Sequence, residues 1–261
     1  MKKRLLDVAF ASDKRKNVLL FLQEGAKEMD TLLELLDTIR QALLPQMKIL
    51  EEHYLVFHYD DKYELTTIGK LVVDEMVPLL NTVELFGNDI DYWGTRDLNC
   101  IPHHLISRIS EIGKSKVISI SPTEQYDVRS THHEKSTECK FHSVVTTILY
   151  PNYHDIFSYL IENNIKIDLI VSESLLKKIC TDHHVNFENY MKTDVVNIYV
   201  YNKKMDFLFF SYDEFYTNLC LLRNNGEFDS KFILFDNKNA LKWGKDFFDY
   251  YLENSTPITE L

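Results

Sequence analysis

The feature that most constrains the fold is a change of hydrophobic period between residues 38 and 65. Ile39, Leu43, Met47 and Leu50 are spaced by four, four and three, which places them on one face of a helix from about Arg40 to Glu52. Directly afterwards Leu55, Phe57 and Tyr59 alternate with Val56 and His58, Asp60-Asp61-Lys62 supplies turn residues, and alternation resumes at Tyr63 and Leu65. That pattern predicts a two-stranded hairpin. Two helical segments precede it. One, from Lys14 to Ala26, carries Val18, Leu19, Phe21 and Leu22, with Ser12 or Asp13 as its N-cap and Gly25 as its stop signal; the other, from Met29 to Leu36, carries Leu32, Leu33, Leu35 and Leu36. Thr66 or Thr67 can cap a further helix through Met76 that ends near Pro78. Helix, helix, helix, hairpin is the order of a winged helix-turn-helix, expected over residues 1–76.

The rest of the chain reads differently. Strand-like runs at Lys116 to Ser121, Ser143 to Tyr150, Ile165 to Ser172, Val195 to Asn202 and Phe207 to Phe210 are interspersed with helical patterns at Ile101 to Ile112, Asp155 to Glu162, Glu173 to Cys180 and Ala240 to Leu252. Such alternation predicts an α/β domain with a mostly covered sheet over residues 95–261, reached through a helical connector at 77–94. The expected class is therefore α/β, or α+β taken over both parts.

In a helix-turn-helix the second helix enters the major groove, so its outer face needs donors for base edges and phosphates. Thr38 to Leu50 holds two basic residues and no acidic one. Arg40 is suited to guanine or phosphate, Gln41 or Gln46 to adenine, and Lys48 to phosphate, with Lys62 and Tyr63 on the wing. The plainer reading of the same helix is an amphipathic segment with a solvated polar face. Pro45 adds a second ambiguity: either the helix starts later, near Leu43 or Leu44, leaving Arg40 and Gln41 in the turn, or it bends at the proline.

The segment TIRQALLPQMKILEEHYLV, from Thr38 to Val56, followed by Tyr63-Glu64-Leu65-Thr66-Thr67-Ile68-Gly69, resembles the archaeal winged-helix regulators whose C-terminal part is the FilR1 (methanogenesis regulatory) domain. The same family's motifs continue downstream. They are Tyr92-Trp93-Gly94-Thr95-Arg96-Asp97-Leu98, Ile101-Pro102, Tyr150-Pro151-Asn152-Tyr153, the run from Asn163 to Val171, Leu221 to Asp229, Ala240 to Gly244, and Phe247 to Tyr251. The resemblance implies a dimeric transcriptional regulator of a methanogenic archaeon whose C-terminal domain senses a metabolic state through a small-molecule or protein effector. His58 in the wing, and Tyr54 where such turns often hold glycine, depart from the pattern. The strand-helix pattern also resembles the phospholipase-D-like fold of some archaeal regulators, but His133-Glu134-Lys135 is the only H-x-K and Lys140 stands where its aspartate is required, so no catalysis is expected.

Charge qualifies the DNA reading. The formal charge of -11 argues against non-specific attraction to nucleic acid, yet residues 1–75 account for only -3 of it, and the acids there flank Thr38 to Leu50 rather than enter it. An acidic protein with one cationic face is expected to bind random DNA weakly and a matched operator well. No apolar run approaches membrane length. The start faintly mimics an export signal, with Ala9 and Ala11 as cleavage residues, but Asp7 interrupts its short apolar stretch, and a cytoplasmic location is expected. The seven glycines form no phosphate-cradling loop and the four cysteines no C-x-x-C, so no cofactor and no metal is expected. Were the domain to sense iron or redox state, Cys139, His142 and His132 are the first candidates, with Cys139 and His142 at helical spacing. The rival to DNA binding is a protein-interaction module that docks its partner on the winged helix.

Overall fold

The segment that mimics an export signal folds as a short helix, α1 (Leu5–Phe10), and buries Val8 and Ala9. In the computed structural model, which describes residues 3–119 and 138–261, this helix opens the first of two units, Met1–Leu80 and Asn81–Leu261. The Ser12 side chain caps α2 (Asp13–Leu22), which stops short of Ala26 because Lys27–Glu28 enter a two-residue strand, β1. A strand of that length has no periodicity to read. There follow α3 (Met29–Leu35), α4 (Arg40–Glu52), β2 (Val56–Tyr59), β3 (Lys62–Leu65) and α5 (Thr67–Gly87).

The three strands pair in the order β1-β3-β2, all antiparallel. Asp60 and Asp61, at φ 45° and 60°, close the hairpin as a two-residue turn of the left-handed kind that matches strand twist. Leu19, Leu32, Leu43, Met47, Leu50 and Leu65 lie in the core between helices and hairpin. At the end of α4, the Leu55 N–H donates to the Leu50 carbonyl and the Tyr54 N–H to the Glu51 carbonyl, with Tyr54 itself at φ 58°. This is the helix-ending motif that glycine usually serves. Tyrosine in its place costs about 1–2 kcal/mol. The expected end of α5 near Pro78 is corrected: the helix runs on to Gly87, because Leu80 and Leu85 continue its apolar pattern and offset the one hydrogen bond that proline removes.

The second unit contains α6 (Ile90–Trp93), α7 (His103–Ile106), β4 (Lys116–Ser119), β5 (Phe141–Thr146), α8 (Tyr153–Glu162), β6 (Lys166–Ser172), α9 (Glu173–Asp182), α10 (His184–Met191), β7 (Val196–Tyr201), β8 (Phe207–Tyr212), β9 (Thr217–Leu221), β10 (Lys231–Phe235), α11 (Lys238–Glu253) and β11 (Ser255–Pro257). Among the described residues its sheet has eight strands in the order β11-β7-β6-β5-β8-β9-β10-β4. β5, β6 and β7 are parallel and joined through helices, while the remaining pairs are antiparallel. Side-chain alternation explains the layering. Ile167, Leu169 and Val171 of β6 pack with α8, α9 and α10, whereas Ile170 packs with α11 on the other face. The unit is thus α/β, as its alternating pattern predicts.

The aromatic residues of α11 are core: Trp243, Phe247 and Tyr251 pack with Phe207 and Phe210 of β8. Gly244 lets α11 approach β9, since a Cβ there would lie 2.5 Å from Thr217 Oγ1. The single helix expected over Ile101 to Ile112 is instead α7 and a 3-10 turn at Ile109–Ile112. α10, β9, β10 and β11 lie outside the sequence expectation.

Two of the sequence motifs meet in space. Arg96 donates to Asp229 Oδ2 at 2.6 Å and lies over the Tyr92 ring with its guanidinium carbon 4.0 Å from the centroid. Arg223 Nε donates to the same carboxylate oxygen at 3.2 Å. The backbones join as well, Asn224 N–H to Thr95 carbonyl at 2.9 Å and Asp97 N–H to Leu222 carbonyl at 3.2 Å.

Candidate nucleic-acid interface

The first unit resolves the ambiguity at Pro45. α4 starts at Arg40 and passes through the proline without a break, its first bonds running from Ala42 and Leu43 N–H to the Ile39 carbonyl. Arg40 and Gln41 therefore belong to the first turn of the helix, not to the preceding loop. No side chain caps this terminus, and no carboxylate stands in its first turn. The positive end of the helix dipole is open to an anion.

Burial of Leu43, Met47 and Leu50 turns Arg40, Gln41, Leu44, Pro45 and Lys48 outward. The exposed face is thus part cationic, part amide and part apolar, with Leu44 39% and Ile39 63% exposed. Arg40 Nη2 donates to Asp30 Oδ1 at 3.0 Å in an ion pair whose side chains are both exposed. Such a pair contributes about 0–1 kcal/mol, so a phosphate can replace the aspartate.

Gln46 does not share that face. It is half-buried, and its Oε1 accepts a hydrogen bond of 2.6 Å from Arg15 Nη1. Arg15, 5% exposed, also donates to the carbonyls of Val8 and Asp7, so one buried guanidinium ties α1, α2 and α4 together. Sequence reasoning missed Arg15 because its partner lies 31 residues away. Tyr63 is corrected too. It is 5% exposed, stacked on His58 with ring centroids 4.4 Å apart, and opposite Lys27 of β1. Burial pushes its phenol up, which fits a packing residue rather than a wing contact. Lys62 remains exposed beside a wing tip made of Asp60 and Asp61.

In the second unit, Cys139 and His142 are brought together with Asp213, which the sequence did not single out. The helical spacing expected of the first two is corrected, since Cys139 precedes β5 and His142 lies in it. His132 lies outside the described residues, as do the H-x-K residues His133 and Lys135.

A family model of the N-terminal domain of the methanogenesis regulatory protein FilR1 matches residues 3–84, and a model of the same protein's middle domain matches residues 126–254. The chain belongs to the FilR1 family. What the sequence motifs suggested as a C-terminal domain is that family's middle domain. The methanogenesis regulatory protein FilR1 of Methanothrix harundinacea (strain 6Ac) is 22% identical over 264 residues, covering 96% of this chain and 57% of the relative. The FilR1-family chain therefore spans little more than half the length of that relative. Among solved structures, the archaeal chromatin protein TrmBL2 is 12% identical, with 97% of each chain covered and a TM-score of 0.40. A phosphatidylserine synthase of Haemophilus influenzae Rd KW20 is 14% identical, covering 46% of this chain and 34% of its own, with a TM-score of 0.34. Among the described residues of this FilR1-family chain, no helix is long and apolar enough to cross a membrane.

Proposed function

We propose that this chain is a sequence-specific DNA-binding transcriptional regulator whose first unit reads a double-stranded operator and whose second unit senses an effector. The observation that carries the reading is the outward face of α4, which presents Arg40, Gln41 and Lys48 beside an uncapped, acid-free helix start. In this reading Arg40 leaves Asp30 for phosphate or guanine, Gln41 contacts a base edge, Lys48 contacts phosphate, and Lys62 reaches the backbone from the wing. Gln46 supports the helix through Arg15. The protein acts as a homodimer, which places two α4 helices on half-sites about one helical turn or a multiple apart. Ile68, Leu71 and Leu79, exposed along one face of α5, are the surface on which we place the second copy.

A second reading, a protein partner docked on the winged helix, is favoured by the exposed Ile39 and Leu44. Duplexes selected from a random library on the purified chain separate the two. Lys48→Ala is expected to weaken binding to all selected sequences alike, and Gln41→Ala to relax preference at one base position by about 1–3 kcal/mol. Both variants keep the wild-type unfolding curve, because neither side chain is in the core. Unchanged affinity and preference in both would remove α4 from the interface.

A further inference from the structure

We propose that Cys139, His142 and Asp213 bind one divalent transition-metal ion of the zinc(II) or iron(II) class. The site does not rest on the DNA-binding reading and stands or falls separately. β5 and β8 pair antiparallel with Ser143 opposite Tyr212, so one step further along the ladder His142 comes to Asp213. One ligand atom from each of the three residues lies within 4.8 Å of the other two, and both Cys139 and Asp213 are buried.

The spacing of the donors is close to that of the ligands of one ion. His142 Nδ1 and Asp213 Oδ2 are 3.9 Å apart, too far for a hydrogen bond. Two ligands of one tetrahedral ion, at bond lengths of about 2.0–2.3 Å, lie roughly 3.3–3.6 Å from each other. A few tenths of an ångström of closure brings this pair onto a metal.

The backbone holds the donors in place. Asp213 Oδ1 accepts from the N–H groups of Phe215 and Tyr216 at 2.7 and 2.8 Å, and the Asp213 N–H donates to the Tyr216 carbonyl, so the β8–β9 turn fixes the carboxylate with Oδ2 toward His142. The Lys140 N–H donates to Glu214 Oε2 at 2.7 Å, tying the segment of Cys139 to the same turn. On binding, Cys139 ligates as the thiolate and its proton passes to solvent. Sulfur and imidazole select against magnesium and calcium, which prefer oxygen ligands only.

The test is titration of the metal-free full chain with cobalt(II), followed by absorption spectroscopy. One cobalt per chain with a thiolate-to-cobalt charge-transfer band is expected. That band is expected to vanish in Cys139→Ser and persist in Cys180→Ser, whose thiol is exposed elsewhere. His142→Gln and Asp213→Asn are expected to weaken cobalt binding at least tenfold, the lower end of what even outer-shell substitutions cost. Circular dichroism verifies that each variant is folded, and the His142 and Asp213 variants decide the matter if Cys139→Ser is not. Absence of a thiolate band in the wild type, or its survival in folded Cys139→Ser, would overturn the site.

Discussion

Asp229→Asn is expected to destabilise the second unit by about 3–5 kcal/mol, the cost of leaving a buried guanidinium without its counter-charge. The Arg96 side chain is 1% exposed and its charge is met by Asp229 Oδ2 at 2.6 Å. Among the described residues its Nε and Nη1 have no hydrogen-bond partner, so none of these residues takes over when Asp229 loses its charge. Arg223→Ala is the contrasting control, because that side chain is exposed and its pair with Asp229 contributes about 0–1 kcal/mol. Acid dependence carries the same signature. Burial pushes the Asp229 carboxyl up, but Arg96 and Arg223 more than reverse this and hold it below its ordinary value. A depressed carboxyl stabilises the fold above its unfolded pKa, and that contribution is lost as pH falls through the folded value. The asparagine variant should therefore lose less stability on acidification than the wild type. Both tryptophans, Trp93 and Trp243, lie in this unit, so urea unfolding followed by their fluorescence reads it alone. A wild-type midpoint in Asp229→Asn would show that the pair is not what holds these segments together.

Gly69→Ala is expected to destabilise the first unit by about 3 kcal/mol or more, at or beyond the upper end of ordinary overpacking. The first turn of α5 lies against the backbone of Leu55, and a Cβ on Gly69 would stand 2.0 Å from the Leu55 carbonyl oxygen. That oxygen is itself held by the Thr66 N–H at 3.0 Å, so neither the connection before β2 nor the helix can shift cheaply. Far-ultraviolet circular dichroism should show an early loss of helix while tryptophan fluorescence is unchanged, since the first unit contains no tryptophan. Coincident wild-type transitions by both probes would contradict the close approach.

These two sites also show what a sequence discloses and what it hides. The end of α4 at Glu52 and the hairpin behind it were legible because Leu43, Met47 and Leu50 keep helical spacing and the residues from Leu55 change it, whereas Pro45 left the start of the helix open. Repeated local spacing is a signal that one chain carries in full. The glycine at position 69 and the Arg96 and Asp229 motifs were visible as motifs, but not the reason for them. Arg96 and Asp229 are 133 residues apart, and Gly69 meets the carbonyl of Leu55, just before β2. Of the DNA-facing residues, Arg40, Gln41, Lys48 and Lys62 are exposed as their positions suggested. Gln46 was misplaced by this limitation, since it is held by Arg15 from 31 residues away, whereas the burial of Tyr63 follows from the alternation it shares with Leu65 on the inner face of β3. Asp213 was hidden for the same reason, because strand register rather than sequence spacing delivers it to His142.

In the proposed function α4 binds operator phosphates through a small cationic face on an acidic protein. The most direct measurement is the affinity of the full chain for a library-selected duplex as a function of salt concentration. Each neutralised phosphate contributes a slope of about -0.9 to log K against log salt. A steep negative slope that becomes shallower by about one in Lys48→Ala is expected, together with weak binding to random duplex. A salt-independent affinity, or equal affinity for selected and random DNA, would contradict it.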